Sequence, residues 1–406
     1  MTQTPDISSR DIVLGQGLAP IPERLLRAHA RGEVLFIAGA GVSRDAGLPD
    51  FRNLVVKVYR YKSLDLAVHS VISRISSSND NQEDPDLSDL EDNQKAEVER
   101  FRKGEYDVVL GMLERRLEGE TNKESLIRRA IGEIIGTKTT PAPIHRNLIR
   151  LADRGAAVAI ITTNFDLLFE DAARKMRSPV QTYALGGIPR PRPPSNPEFN
   201  GVLHIHGALD RNPKRTSDLI ISDQDLGEFY LRRRIVPDLI YDAARLYNLV
   251  LVGYSANDPP MRYLLNAVAA DGTRFRDLKE RFIFVGTNKD NPVELEDWKA
   301  RGITPIQYKS QGSDHSQLQC TLAKWAEFSA INGDKSRVDR ELKKIVKTKK
   351  TEARDEHRDL FDHFIRRSEP NERIRLSKLI SKHKADLGWL DAIVAVSSEE
   401  SREGRR

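Results

Sequence analysis

Residues 32–52 read GEVLFIAGAGVSRDAGLPDFR, a stretch that sets the fold class of the whole chain. Its continuous apolar run, Val34–Ile37, is typical of a buried strand. Gly39-Ala40-Gly41 follows, and glycine lets the backbone turn sharply and approach a ligand closely. Ser43–Ala46 is then expected to form the first turn of a helix, whose free N–H groups would face an anion. Such glycines can also serve packing alone, but a strand, a glycine turn and a helix start together predict a dinucleotide diphosphate site.

Two later segments show the same change from a buried strand to polar residues. Ala157–Ile161 is an apolar strand that continues into Thr162-Thr163-Asn164-Phe165-Asp166, and Gly201–Gly207 reads GVLHIHG. Parallel α/β folds place their chemistry at such carboxyl ends. An Asn or Asp at this point also serves as a helix cap, so the second segment alone decides nothing. His204 and His206 share one face of a strand and could be metal ligands or structural residues, but no Cys or acidic cluster accompanies them.

Taken together, these segments resemble the sirtuins, which are NAD-dependent enzymes. The string GAGVSRDAGLPDFR resembles the first sirtuin signature, TTNFD resembles the second, and His206-Gly207 matches the family's His-Gly pair. Thr163 stands where the family has Gln. The resemblance implies that NAD⁺ contacts Gly39, Ala40, Gly41, Ser43, Asp50, Phe51, Arg52 and Thr163.

The resemblance also assigns catalytic roles to three residues. It implies that Asp166 holds the nicotinamide carboxamide and that Asn164 orients ribose hydroxyls or an attacking water. His206 is assigned as the base, and His204 is left a structural role. An imidazole is expected to have a pKa near neutrality, so His206 could accept a proton from water or a ribose hydroxyl.

The chain departs from the sirtuin deacylases in two places. After His206 the deacylases carry a zinc module built on cysteines, whereas Cys320 is the single cysteine here, so neither zinc nor another metal is expected. Gly253-Tyr254-Ser255 stands where sirtuins have Gly-Thr-Ser, and Asp258-Pro259 follows it. This pattern is similar to divergent bacterial sirtuin-like domains of antiphage defence systems, and it implies NAD⁺ contacts from Gly253, Tyr254, Ser255 and Asp258.

Length and composition fit a protein with a large packed core. The chain has 406 residues, of which 39% are hydrophobic and 31% charged, and its 65 basic and 60 acidic residues leave a net charge of +5. The amino terminus lacks the pattern of a signal peptide, and no apolar run is long enough for a membrane span. We therefore expect a cytoplasmic protein. Its basic runs lack interleaved aromatic residues, so direct nucleic-acid binding is not expected.

The predicted fold class is α/β, a Rossmann-like parallel sheet flanked by helices, with a helical insertion and a helical C-terminal appendage. We expect a catalytic domain over residues 1–330, with the insertion at about 60–145, and a charged helical segment over 331–406. That segment could be a solvated appendage or an oligomerisation or partner-binding module. The remaining predictions are a flexible arm up to Ala19, a mobile loop at Ser76–Asp92, helices at Lys95–Leu117, Leu231–Leu246 and Met261–Ala269, and strands at Leu249–Val252, Arg281–Val285 and Pro305–Tyr308.

The function expected from these features is an NAD⁺ glycohydrolase that depletes NAD⁺ in antiphage defence. The alternatives are an NAD-dependent protein-lysine deacylase and a non-enzymatic NAD or ADP-ribose sensor. The missing zinc module and the Gly-Tyr-Ser pattern favour water as the nucleophile. The resemblance further implies a homo-oligomer and a HerA-type ATPase as a possible partner.

Overall fold

The computed structural model describes residues 10–77, 85–118, 125–136, 140–155, 157–174, 180–194, 200–209, 218–254, 265–266, 268, 278–287, 292–312, 314–383 and 385–403. Its centre is a seven-stranded sheet in the order β5-β6-β4-β3-β7-β8-β9, and all its strand pairs are parallel. This confirms the predicted Rossmann-like α/β class. The strands are β1 Asp11–Val13, β2 Pro20–Pro22, β3 Val34–Ala38, β4 Ala159–Thr162, β5 Gln181–Ala184, β6 Gly201–His204, β7 Asn248–Val252, β8 Arg281–Thr287 and β9 Thr304–Lys309.

The middle of the sheet follows the apolar runs of the sequence. Every residue of β3 is buried, as expected for a strand covered by helices on both faces. The chain leaves β3 towards β4, β6 and β5 on one side and towards β7, β8 and β9 on the other. This reversal of direction opens a crevice at the carboxyl ends of β3, β4 and β7.

Helices flank both faces of the sheet. A 3₁₀ helix, Ala40–Ala46, follows β3, and a π-helix, Gly227–Arg232, follows α9. The α-helices are α1 Glu23–Ala30, α2 Phe51–Arg60, α3 Leu66–Ser77, α4 Asp92–Arg102, α5 Tyr106–Glu118, α6 Leu126–Gly136, α7 Pro143–Ala152, α8 Leu168–Ala173, α9 Asp223–Leu226, α10 Ile235–Leu246, α11 Pro292–Ala300, α12 Ser316–Phe328, α13 Lys335–Ile345, α14 Asp355–Arg366, α15 Pro370–Lys382 and α16 Leu387–Glu403.

The predicted helical insertion is present as α3 to α6, which together with α2 form a hydrophobic cluster of their own. The helical spacing predicted over Lys95–Leu117 is present as two helices, α4 and α5. Gly104 has a φ of 77° and separates α4 from α5, because that left-handed conformation interrupts an α-helix. Leu117, near the end of α5, is 39% exposed.

The predicted flexible arm is wrong over the residues that can be described. Residues 10–22 contain an antiparallel ribbon of β1 and β2, and Ile12 and Ala19 are buried. Arg10 fastens the ribbon to the C-terminal helices, since it lies 3.1 Å from Glu23 and 3.0 Å from Asp359. Residues 10–22 therefore pack as part of the fold.

The apolar stripes of the C-terminal helices also pack inward. Phe361, Phe364 and Trp389 belong to the same hydrophobic cluster as β3 and the ribbon. Ile374 and Leu387 are exceptions, with exposures of 54% and 73%. The helix predicted at Leu231–Leu246 begins at Ile235, and most of Met261–Ala269 and part of the predicted loop Ser76–Asp92 lie outside the described residues.

Candidate active site

A cavity of about 610 Å³ lies at the carboxyl edge of the sheet, a size typical of small-molecule sites. The structure brings most of the predicted site residues to it. Gly39 lies next to the lining residues, and Ser255 and Asp258 lie outside the described part of the chain. The predicted residues that line the cavity are Ala40, Gly41, Ser43, Asp50, Phe51, Arg52, Thr163, Asn164, Asp166, His206, Gly253 and Tyr254.

The glycines after β3 and β7 are required by backbone packing. A Cβ on Gly41 would lie 2.9 Å from the Cα of Gly253, and one on Gly39 would lie 2.6 Å from the Gly253 carbonyl oxygen. The Gly41 N–H donates to that same carbonyl at 3.0 Å. The expected α-helical turn after these glycines is instead the 3₁₀ helix, so fewer N–H groups are free for an anion than the sequence predicted.

Four buried polar side chains form one hydrogen-bonded group at the floor of the cavity, and we call them the Ser43 cluster: Ser43, His145, Asn164 and Asp166, of which all but His145 line the cavity. The Ser43 hydroxyl donates to Asp166 Oδ2 at 2.9 Å and accepts from Asn164 Nδ2 at 3.0 Å. His145 Nε2 lies 3.2 Å from the same oxygen. A hydroxyl has one hydrogen and two lone pairs, so these three bonds satisfy it completely if Nε2 carries the proton of His145.

Burial sets the charge states in the Ser43 cluster. It raises the pKa of Asp166, while hydrogen bonds from Ser43 and the Leu168 N–H act in the opposite direction. Burial lowers the pKa of His145 to about 4, so its imidazole is neutral at pH 7. The floor therefore presents one carboxyl group, one amide and no fixed positive charge from its imidazole.

The buried pair of His204 and Glu170 holds the backbone of Asn164 in place. His204 is fully buried, with Nδ1 2.7 Å from the Asn164 carbonyl oxygen and Nε2 3.0 Å from Glu170 Oε1. Burial alone would lower the pKa of His204, but the hydrogen bond and charge of Glu170 raise it. His204 does not line the cavity, and its contacts are those of a structural residue that fixes the backbone of Asn164.

His206 faces the cavity, two residues beyond His204. Its Nε2 lies 2.7 Å from the hydroxyl oxygen of Tyr230, and the two rings are 5.9 Å apart. Burial lowers the pKa of His206 to about 4, so the expected pKa near neutrality is wrong. The imidazole is neutral at pH 7 and can still accept a proton, but it is a weaker base than predicted.

The signature residues after the 3₁₀ helix build the rim of the cavity. Asp50 caps α2 by accepting from the Asn53 N–H at 2.8 Å. Arg52 donates to the Ile75 carbonyl oxygen at 3.0 Å and thereby joins α2 to α3. Phe51 packs edge-on against Tyr106, with ring centroids 6.2 Å apart. These contacts fix the loop in place and close one wall with an aromatic pair.

The opposite end of the cavity lies at β8 and β9. A Cβ on Gly286 would lie 3.0 Å from the Tyr308 hydroxyl oxygen, and that oxygen is 2.8 Å from His315 Nδ1. Burial raises the pKa of Tyr308 to about 12, so its hydroxyl stays protonated. Between the two ends, the Tyr254 hydroxyl donates to Thr163 Oγ1 at 3.2 Å. The cavity thus runs from His206 across the middle strands to Tyr308.

Sequence reasoning missed two residues of this site, His145 and Tyr230. His145 lies on one face of an otherwise ordinary amphipathic helix, α7, where nothing in its surroundings signals a ligand. Tyr230 lies 24 residues after His206 in the chain, and a π-helix directs it back. No periodic pattern predicts a π-helix, so only the folded chain places this hydroxyl.

The described residues contain no group of three or more His, Cys, Asp or Glu that could hold a metal ion. Among them no helix is both long and apolar enough to cross a membrane.

Comparison with known proteins finds a recognised domain over part of this chain. The family model of the SIR2-like domain matches residues 158–306, which include Asn164, Asp166 and His206. The uncharacterized protein y4cA of Sinorhizobium fredii (strain NBRC 101917 / NGR234) is 30% identical over 394 residues, covering 92% of this chain and 29% of that protein. The chain therefore spans less than a third of the length of this relative. The domain match supports a sirtuin-like domain with an NAD-related function.

Proposed function

We propose that this chain is an NAD⁺ glycohydrolase, which cleaves NAD⁺ into nicotinamide and ADP-ribose. The observation that carries the proposal is the meeting of Asn164, Asp166 and His206 in one cavity, where Ser43 holds the first two. The cavity volume of about 610 Å³ and its course along six strand ends suit an extended dinucleotide. Gly41 and Gly253 line the same cavity, and their lack of side chains lets the ends of β3 and β7 pack closely beside it.

The reaction breaks the C–N bond between ribose C1′ and the nicotinamide ring nitrogen. As this bond lengthens, positive charge develops on the ribose, as in other glycoside hydrolyses. Water attacks C1′, its oxygen forms the new bond, and one proton is released while nicotinamide leaves as a neutral molecule. Asp166 would hold the carboxamide of the leaving group, and its negative charge would also stabilise the developing cation.

Asn164 and His206 would then handle the nucleophile. The amide of Asn164 can donate and accept, so it suits the orientation of a ribose hydroxyl or a water. Because the His206 imidazole is neutral at pH 7, it would take the proton that water releases. A weakly basic histidine suits this step, since the oxocarbenium-like carbon needs only limited activation of the water.

Water is favoured over an acyl-lysine as the nucleophile by the segment that follows His206. Where the deacylases carry their zinc module, this chain has residues 218–232, and Tyr230 from that segment contacts His206. Ile220, Ile221 and Leu226 of the same segment line the cavity. We infer that these apolar side chains leave less room beside His206 for a peptide than for a water molecule.

The cellular role we propose is NAD⁺ depletion in antiphage defence, by a cytoplasmic homo-oligomer with a HerA-type ATPase as a possible partner. It rests on the resemblance of Gly253-Tyr254-Ser255 and Asp258-Pro259 to defence proteins. A hydrolase that drains NAD⁺ must be inactive at rest, so we expect its activity to depend on assembly or a partner.

The test is NAD⁺ consumption by the purified chain, alone and with the HerA-type ATPase added, without any peptide and with products separated by chromatography. We expect nicotinamide and ADP-ribose in equal amounts, and a loss of about a hundredfold or more in His206→Ala. His69→Ala, which changes a histidine on α3 that does not line the cavity, serves as the control.

The other outcomes separate the alternatives. Turnover that appears only after an acyl-lysine peptide is added would identify a deacylase. NAD⁺ binding without turnover under any of these conditions, including addition of the HerA-type ATPase, would identify a sensor and contradict the proposal.

A further inference from the structure

We propose that Tyr230 is a positioning residue for His206, and that its hydroxyl fixes the ring orientation and tautomer in which His206 acts. The effect of Tyr230 on NAD⁺ turnover rests on the proposed function. Its effect on the ring orientation and tautomer of His206 rests on the geometry alone. The hydroxyl oxygen and His206 Nε2 are 2.7 Å apart, a short distance for such a pair. Tyr230 is only 8% exposed, so bulk water does not readily replace this contact.

The contact constrains which nitrogen of His206 carries the proton. A neutral imidazole has one donor and one acceptor nitrogen, and the tautomer follows the hydrogen bond that each nitrogen makes. The phenol can donate to Nε2 or accept from it, and the base role of His206 requires the second arrangement, in which Nε2–H donates to the hydroxyl oxygen and Nδ1 keeps its lone pair. Without the hydroxyl, Nε2 would lose this partner, and both tautomers and other ring orientations would become accessible.

The backbone conformation around Tyr230 is unusual in two ways. Residues Gly227–Arg232 form a π-helix, whose wider turn changes the direction of each side chain relative to an α-helix. Arg234 follows with a φ of 55°, a left-handed conformation that costs free energy in a residue with a Cβ. Such strain persists only where the surrounding structure enforces it. Both features lie within four residues of the hydroxyl that reaches His206.

Residues 218–232, the segment that carries Tyr230, are held in place by hydrogen bonds to His206 and to α6. The Ile220 N–H donates to the carbonyl oxygen of His206 at 2.8 Å, so the segment holds both the backbone and the ring of this histidine. Arg128 joins the segment to α6, with bonds of 2.6 Å to the Leu219 carbonyl oxygen and 2.9 Å to Asp225 Oδ2. Asp225 and Ser222 form a capping box at the start of α9, directly before the π-helix.

A packing role for Tyr230 makes a different prediction from a positioning role. The Tyr230 ring belongs to the hydrophobic cluster under the sheet, together with Ile205 and Val236. Phenylalanine would keep this packing and remove only the hydroxyl. If the ring alone mattered, Tyr230→Phe would therefore behave like the original protein in every measurement.

The decisive experiment is Tyr230→Phe in the full chain, with two independent readouts. Nitrogen NMR on histidine-labelled protein, with His206→Ala to assign the signal, reports the tautomer of His206. We expect one dominant tautomer in the original protein and a mixture in the variant. In NAD⁺ turnover we expect kcat to fall about tenfold to a hundredfold, while KM stays within about twofold.

Tyr183→Phe is the matched control. Its hydroxyl donates to Gln181 Oε1 at 2.6 Å on the edge strand β5, away from the cavity. It should leave the His206 signal and turnover unchanged. An unchanged tautomer together with an unchanged kcat in Tyr230→Phe would overturn the proposal. If the original protein shows no turnover even with the HerA-type ATPase added, the proposed function fails, while the NMR result alone still decides the role of Tyr230.

Discussion

Two buried polar clusters of this molecule differ in whether their residues line the cavity. In the Ser43 cluster one hydroxyl satisfies an amide, an imidazole and a carboxyl group, and three of the four residues line the cavity. In the helical layer lies the Arg116 cluster, which consists of Tyr59, Asp65, Glu97 and Arg116. None of these four residues lines the cavity.

The two clusters also differ in how much hydrogen-bonding capacity they leave for a ligand. Arg116 places its guanidinium 2.8 Å from both Asp65 and Glu97, and Tyr59 donates to Glu97 at 2.7 Å. These hydrogen bonds raise the pKa of Arg116, so its charge is fixed and internally compensated. In the Ser43 cluster, Asn164 and Asp166 keep hydrogen-bonding capacity on the cavity side. We infer that the Arg116 cluster stabilises the fold and that the Ser43 cluster serves the ligand.

The largest effect on stability is expected from Arg116→Met. The change leaves the buried carboxylate of Glu97 without its cation, and a broken buried ion pair costs about 3 kcal/mol of the free energy of unfolding. Denaturant titration measures this loss, and NAD⁺ turnover per folded molecule should stay the same. Arg102→Met, which removes an exposed pair with Glu99, should cost less than about 1 kcal/mol. Equal costs for the two variants would contradict the distinction.

Ser43→Ala should have a smaller effect on stability and a large one on turnover. Three buried groups lose a hydrogen bond, which we expect to cost about 2 kcal/mol of the free energy of unfolding. Asn164 and Asp166 would lose their fixed positions, so kcat should fall about a hundredfold.

Ser70→Ala removes a surface hydroxyl of α3 and is the control for Ser43→Ala. Turnover of Ser43→Ala close to that of the control would show that the cluster is structural, as the Arg116 cluster is.

The smallest effect on stability is expected from the pH dependence of the His204–Glu170 pair. Burial lowers the pKa of His204 and pairing with Glu170 raises it, so the two contributions partly cancel. The pKa of His204 in the folded state is raised above the ordinary 6.5. The pair therefore contributes its full stability below pH 6.5 and loses it as the pH rises through the folded-state pKa.

This pH dependence can be isolated with His204→Gln, which removes the titrating group but keeps an amide at the same place. The difference in free energy of unfolding between the original protein and the variant should shrink as the pH rises above 6.5. A difference that stays constant above pH 6.5 would mean that His204 is already neutral in the fold.

The sequence predicted the parts of the fold that depend on local patterns. For β3, β4, β7 and β8, the predicted first residue lies within two residues of the observed first residue. The agreement arises because each of these strands is a continuous apolar run in the sequence. The edge strand β5 was missed, since its residues Gln181–Ala184 are partly exposed and lack such a run. The ribbon of β1 and β2 was missed because its three-residue strands gain their burial from distant helices.

In the candidate site, too, the sequence predicted what depends on local motifs and not what depends on residues distant in the chain. Asn164, Asp166 and His206 were found because the motif residues lie at strand ends, where the fold brings them together. The Tyr230 contact depends on a π-helix, and the lowered pKa of His206 depends on burial by residues distant in sequence. Neither property is encoded in a short motif, so neither could be derived before the chain was folded.

The most direct test of the account is a paired measurement on Asn164→Ala, of NAD⁺ affinity by calorimetry and of NAD⁺ turnover by product analysis. Asn164 Nδ2 bonds Ser43 on the cavity floor, and we assign it to the chemistry and not to the bulk of binding. The account predicts a Kd within a few-fold of the original and a loss of turnover of about a hundredfold or more. Turnover that survives the substitution would contradict the proposal that this cavity hydrolyses NAD⁺ through Asn164.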